Sequence, residues 1–104
     1  MTDPVVAETA IAQILDLYPS LTAEDAVAFL CVCAEDGPSL KALSKRLDVG
    51  QSVATRRVSA LESCGGHGLG LVLMSRTEEG EVRRTVHLTP VGQELRDTLR
   101  VSRT

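Results

Sequence analysis

The chain has 104 residues, short enough for one domain spanning 1–104 and long enough to bury a modest core without disulfide or metal support. Apolar residues make up 43% of it but aromatics only 2% (Tyr18 and Phe29), which leaves Leu, Val, Ile and Ala to form the core and excludes the aromatic platforms that hold single-stranded nucleic acid. The net charge of −3 is unevenly spread: residues 1–38 carry seven acids and no base, whereas residues 39–88 carry eight bases against five acids.

Pro4 suits a first helical position and opens an expected N-terminal helix to about Leu17, within a segment 1–19. Ala7, Ile11, Ile14, Leu15 and Tyr18 recur at helical spacing and form its expected buried stripe. Pro19-Ser20 ends it. Thr22 is a good N-cap for a second helix, with Glu24 and Asp25 in the first turn against the positive end of the helix dipole. Ala26 to Ala34 is apolar without a break, so this helix is expected at the centre of the fold. Gly37-Pro38 stops it.

Residues 39–63 then read as a helix-turn-helix. Ser39 caps a short third helix with Leu40, Leu43 and Leu47 inward and Lys41, Lys45 and Arg46 outward. Asp48-Val49-Gly50 makes the turn. The fourth helix runs from about Gln51 to Ser63, with Ala54, Val58 and Leu61 on one face. After the glycine-rich connector Cys64-Gly-Gly-His67-Gly68 the period changes from about 3.6 to 2. Residues 69–88 read as a β-hairpin: a strand over Leu69 to Arg76, a turn at Thr77-Glu78-Glu79-Gly80, then Val82, Arg84, Val86 and Leu88 in alternation with their neighbours. Thr89-Pro90 is a cap followed by Pro at N1, and Val91, Leu95 and Leu99 mark a last helix within 89–104. The expected class is mainly α with a small β-hairpin (α+β), in winged-helix order.

Four segments carry a more specific likeness: Leu21-Thr22 through Phe29-Leu30, Leu40-Lys-Ala-Leu-Ser-Lys-Arg-Leu-Asp-Val-Gly50, Ser52-Val-Ala-Thr-Arg-Arg-Val-Ser-Ala-Leu-Glu62 and Val86-His-Leu-Thr-Pro-Val-Gly92. In this order and spacing the chain resembles the MarR-type winged helix-turn-helix transcriptional regulators over roughly residues 20–100. It departs from them at the wing tip, where Glu79-Gly-Glu-Val-Arg83-Arg84 stands in place of the usual Asp-x-Arg element.

The resemblance implies a sequence-specific regulator of double-stranded DNA, a repressor, with residues 51–63 as the recognition helix in the major groove. Opposite Ala54, Val58 and Leu61 lie Gln51, Ser52, Thr55, Arg56 and Ser59, with Val53 at the edge. Arg56 suits bidentate bonding to guanine and Gln51 to adenine, and Val53 or the Thr55 methyl suits a thymine methyl. Ser52 and the amides beside it suit a phosphate. Arg57 is expected to reach sideways to the DNA backbone, Lys41 and Lys45 to meet phosphates, and the wing bases Arg76, Arg83 and Arg84 to meet phosphates or enter a minor groove. A homodimer through the N-terminal and C-terminal helices is the implied assembly. The alternative expectation is a winged-helix protein–protein interaction module without specific DNA binding, which the acidic first third fits.

No apolar run approaches the ~20 residues of a membrane span, and Met1-Thr2-Asp3-Pro4 lacks the basic flank of a signal peptide, so a cytoplasmic protein without membrane contact is expected. Three cysteines, an odd number, argue against a disulfide framework. Cys31 and Cys33, two apart on a helix, point about 200° away from each other and read as core residues. Cys64 and His67 alone make half a zinc site. Cys64 is expected to be exposed in its glycine loop, which leaves a redox switch as a third reading. Gly65-Gly-His-Gly-Leu-Gly70 follows a helix where a nucleotide loop opens one. No catalytic residues, cofactor or metal are expected.

Overall fold

A computed structural model describes residues 4–35, 37–64, 70–77 and 83–101. The elements are α1 (Pro4–Leu17), α2 (Ala23–Ala34), α3 (Leu40–Leu47), α4 (Gln51–Ser63), β1 (Val72–Thr77), β2 (Arg83–Leu88) and α5 (Pro90–Val101). The expected turn at 78–80 and connector at 65–68, His67 included, lie outside the described residues, as do Leu69, Val82 and the side chains of Ala7 and Arg83.

Two of the helices, α2 and α3, begin at side-chain caps. Thr22 Oγ1 accepts the Asp25 N–H at 3.2 Å and Asp25 Oδ2 accepts the Thr22 N–H at 3.1 Å, a reciprocal capping box that opens α2. Ser39 Oγ accepts the Ala42 N–H at 3.0 Å and opens α3. The turn after α3 is made by Asp48 in the left-handed region (φ 56°), a conformation short polar side chains tolerate; Gly50, extended at φ −70°, ends the turn as the N-cap of α4.

Phe29, Ile14, Leu43, Leu61, Leu71, Val32, Val58, Val72 and Val86 are fully buried and form a core of branched aliphatics around one aromatic ring. Ala10 and Ile14 of α1 and Leu95 and Leu99 of α5 close it from the two chain ends. The buried α2 face is Ala26, Ala28, Phe29 and Val32. That helix is not enclosed on every side as its unbroken apolar run suggests. Val27 is 39% exposed and Leu30, Cys31 and Cys33 are half-buried, because α1, α3, α4 and β2 pack against it and leave one flank open.

β1 and β2 pair antiparallel in the register Val72↔Leu88, Met74↔Val86 and Arg76↔Arg84. Val72 and Val86 point into the core, while Leu73, one residue out of phase, is 58% exposed. A feature without sequence periodicity adds a third line to the sheet: Ser39 bridges Thr85, and the Val86 N–H donates to the Pro38 carbonyl at 2.9 Å.

The hairpin is fastened to the helices by close backbone approaches. Leu71 N–H donates to the Leu61 carbonyl at 2.8 Å, and the Met74 N–H to the Glu62 carboxylate at 3.4 Å. A Cβ on Gly70 would fall on the Glu62 carbonyl, and one on Gly92 would fall on the Leu71 carbonyl, so both positions require glycine. Thr89 joins these parts: its hydroxyl donates to the Gly70 carbonyl at 2.6 Å and accepts the Gly92 N–H at 3.1 Å, capping α5. The Leu88-Thr-Pro-Val-Gly92 segment is therefore a clamp between hairpin and helices. Among the described residues, no helix is long and apolar enough to cross a membrane.

Candidate nucleic-acid interface

The fourth helix buries Ala54, Val58 and Leu61. At about 100° per residue the opposite side is then set, and Ser52, Arg56 and Ser59 are exposed there, with Val53 and Thr55 half-exposed at its edges; Gln51, about 60° from Ala54 around the helix, is exposed at the open first turn. The Thr55 hydroxyl donates to the Gln51 carbonyl at 2.8 Å, one turn back. Its hydroxyl hydrogen is thereby used within the helix. Gly50 supplies no side-chain cap, so the first amides of α4 stand at the positive end of the helix dipole without a side-chain acceptor. A Cβ at Gly50 would meet nothing within 4 Å, which leaves room for an anion to approach.

On α3, Lys41 and Lys45 are one turn apart and both exposed. Arg46 differs from them, as its guanidinium lies 3.6 Å from the Glu35 carboxylate. On the hairpin, Arg76 and Arg84 are exposed and directly opposed across the ladder.

Arg57, expected to reach sideways to the DNA backbone, has its Nη1 3.7 Å from Asp25 Oδ1 of α2, with its side chain 30% exposed. Asp25, read from sequence only as a favourable first-turn acid, is 6% exposed and belongs with α4 in three dimensions. The distance between the two along the chain gives no local signal for the pair.

Cys64 is half-buried at the end of α4, with its thiol donating to the Leu61 carbonyl at 3.3 Å, rather than exposed in a loop. Burial raises the thiol pKa of Cys64, as it does for Cys31. His87 is exposed; its Nε2 lies 2.9 Å from Thr85 Oγ1, and its ring covers Gly37, which adopts φ +65°. Among the described residues, no three His, Cys, Asp or Glu side chains come together as a metal site.

No protein-family model and no curated protein matches the sequence. Solved structures do. The chain is similar to a MarR transcriptional regulator from Methanosarcina mazei, with a TM-score of 0.69 at 21% identity, over 88% of this chain and 62% of that one. It is similar to MepR of S. aureus in a complex with DNA, with a TM-score of 0.65 at 17% identity, over 90% of this chain and 73% of that one. A MarR family regulator from Silicibacter pomeroyi is matched with a TM-score of 0.57 at 28% identity, over 94% of this chain and 67% of that one.

The chain has the MarR-type winged-helix fold. In this MarR-type frame α3 and α4 are the helix-turn-helix, and β1 and β2 are the wing. The chain spans less than two thirds of the length of the Methanosarcina regulator, 62% of it.

Proposed function

We propose that this chain is a sequence-specific double-stranded DNA-binding module of a transcription regulator. The fourth helix enters the major groove with Arg56 and Gln51 toward base edges. Ser52 and the open α4 amides bind one phosphate, and Val53, Thr55 and Ser59 contact the groove wall. Lys41 and Lys45 bind backbone phosphates, and Arg76, Arg83 and Arg84 of the wing meet the backbone or the adjacent minor groove.

The observation that carries the reading is the polarity of α4. Ser52, Arg56 and Ser59 are exposed on a helix whose opposite stripe, Ala54, Val58 and Leu61, is buried, and Gln51 is exposed at its first turn. Two of the bases on α3 and α4 are paired with acids, Arg46 with Glu35 and Arg57 with Asp25, and Lys41, Lys45 and Arg56 are exposed toward a polyanion. The solved complex of MepR with DNA gives a relative of the same fold that binds this class of ligand.

The regulator works as a homodimer and represses by occupying its operator. Half-open apolar side chains at both chain ends support pairing there, Ile11 and Leu15 on α1 and Val91 on α5. Selection of bound sequences from a random duplex pool tests the reading. It is expected to return a palindromic motif with half-sites about one helical turn apart. Recovery of no motif, with binding unaffected by salt, would replace this function with a protein-binding one.

A further inference from the structure

We propose that Asp25 is a positioning residue for the duplex-reading face of α4, acting through Arg57 and holding that arginine off the phosphate backbone; the inference rests on the DNA-binding function given above. Asp25 is fixed before it meets Arg57. It lies in the first turn of α2, is 6% exposed, and spends Oδ2 on the Thr22 N–H at 3.1 Å within the capping box. The other oxygen, Oδ1, lies 3.7 Å from Arg57 Nη1. A carboxylate so far out of water is costly to leave unpaired, so the arginine is held where the capping box puts its partner.

Arg57 and Arg56 are neighbours in sequence and so diverge by about 100° around α4. Drawing Arg57 toward α2 turns Arg56 away from the protein. The buried stripe of Ala54, Val58 and Leu61 sets this rotation by packing. The ion pair adds a directional restraint at the position of Arg57 itself. It also removes one base from sequence-independent binding: a free arginine beside the groove would bind phosphate on any duplex and dilute discrimination.

The test compares four proteins: wild type, Asp25→Asn, Arg57→Met and the double variant. Each is titrated with salt against the selected duplex and a scrambled one. Asp25→Asn keeps an oxygen for the Thr22 N–H but releases Arg57. The slope of log K against log salt is expected to steepen by about 0.9, one added phosphate contact, and the specific-to-scrambled affinity ratio to fall several-fold. Arg57→Met is expected to leave the slope at the wild-type value. The double variant, which buries no lone charge and so guards against misfolding of either single variant, is expected to keep the wild-type slope with a reduced ratio. A slope lowered by about 0.9 in Arg57→Met would make Arg57 a phosphate contact and overturn the proposal. So would a double variant with an unchanged ratio. If wild type shows no salt-dependent duplex affinity, the DNA-binding function itself fails. Amide exchange over residues 51–57 then decides the positioning role: faster exchange in the double variant supports it, and unchanged exchange refutes it.

Discussion

Gly92→Ala places a methyl group in the first turn of α5, where helix propensity alone would make the change favourable by about 1 kcal/mol. The surroundings reverse the sign. The added Cβ would fall on the Leu71 carbonyl oxygen, and the obstruction is backbone, which has no rotamer with which to yield. Relief requires α5 to move away from β1, stretching the Thr89 N–H bond to Leu71 (3.1 Å) and the Thr89 hydroxyl bond to Gly70 (2.6 Å). Overpacking of this kind costs about 1–3 kcal/mol, and each weakened hydrogen bond about 1 kcal/mol. Against the propensity gain the net loss is about 2–4 kcal/mol, which for a chain of this size lowers Tm by about 10–30 °C. Thermal denaturation followed by far-UV circular dichroism reads it directly. Gly50→Ala is the control, since nothing lies within 4 Å of its Cβ and the change at this N-cap is expected to cost only about 0.5–1 kcal/mol. A Gly92→Ala protein that melts with wild type, or above it, refutes the clamp between Thr89, Gly70 and Leu71.

Three further outcomes follow from the same geometry. Gly50→Asp supplies the missing N-cap of α4 and is expected to raise stability by a few tenths to about 1 kcal/mol, while its negative charge weakens duplex binding; stability and affinity changing in the same direction would contradict an anion site at that helix start. Lys45→Ala is expected to weaken specific and scrambled duplexes about equally and to reduce the salt slope by about 0.9, and a loss confined to the specific duplex would make Lys45 a base reader. Because burial raises the Cys64 and Cys31 pKa values, the thiolate needed for alkylation appears only above the pH at which an exposed cysteine reacts. Iodoacetamide labelling at pH 8 is therefore expected to be slower than for a free-cysteine peptide, and labelling as fast as the peptide's would show the thiols to be open.

Much of the fold is legible in the sequence because its punctuation is local. Pro4, Thr22, Ser39 and Thr89 act through groups within three or four residues, and the structure sets helix starts at or next to each of them. The Ala54, Val58 and Leu61 stripe likewise determines which side of α4 faces water. What was not legible depends on contacts between distant segments. The bridge of Ser39 to Thr85 is a single pair and has no period to detect. The first strand begins at Val72, later than the alternation from Leu69 suggests, because Gly70 is taken up in the close approach to Glu62. The left-handed turn residue is Asp48 although a glycine stands two positions on. The partnership of Asp25 with Arg57 joins two helices, and no window along the chain contains both.

The most direct measurement of the DNA-binding claim is the affinity of wild type and Arg56→Ala for a selected duplex and for one with the contacted guanine replaced. Loss of a bidentate base contact is worth about 1–3 kcal/mol, so Arg56→Ala is expected to bind the selected duplex roughly 5- to 150-fold more weakly. It should also lose the ability to tell the two duplexes apart at that base pair. Equal affinity of the two proteins for both duplexes would show that the exposed side of α4 reads no bases.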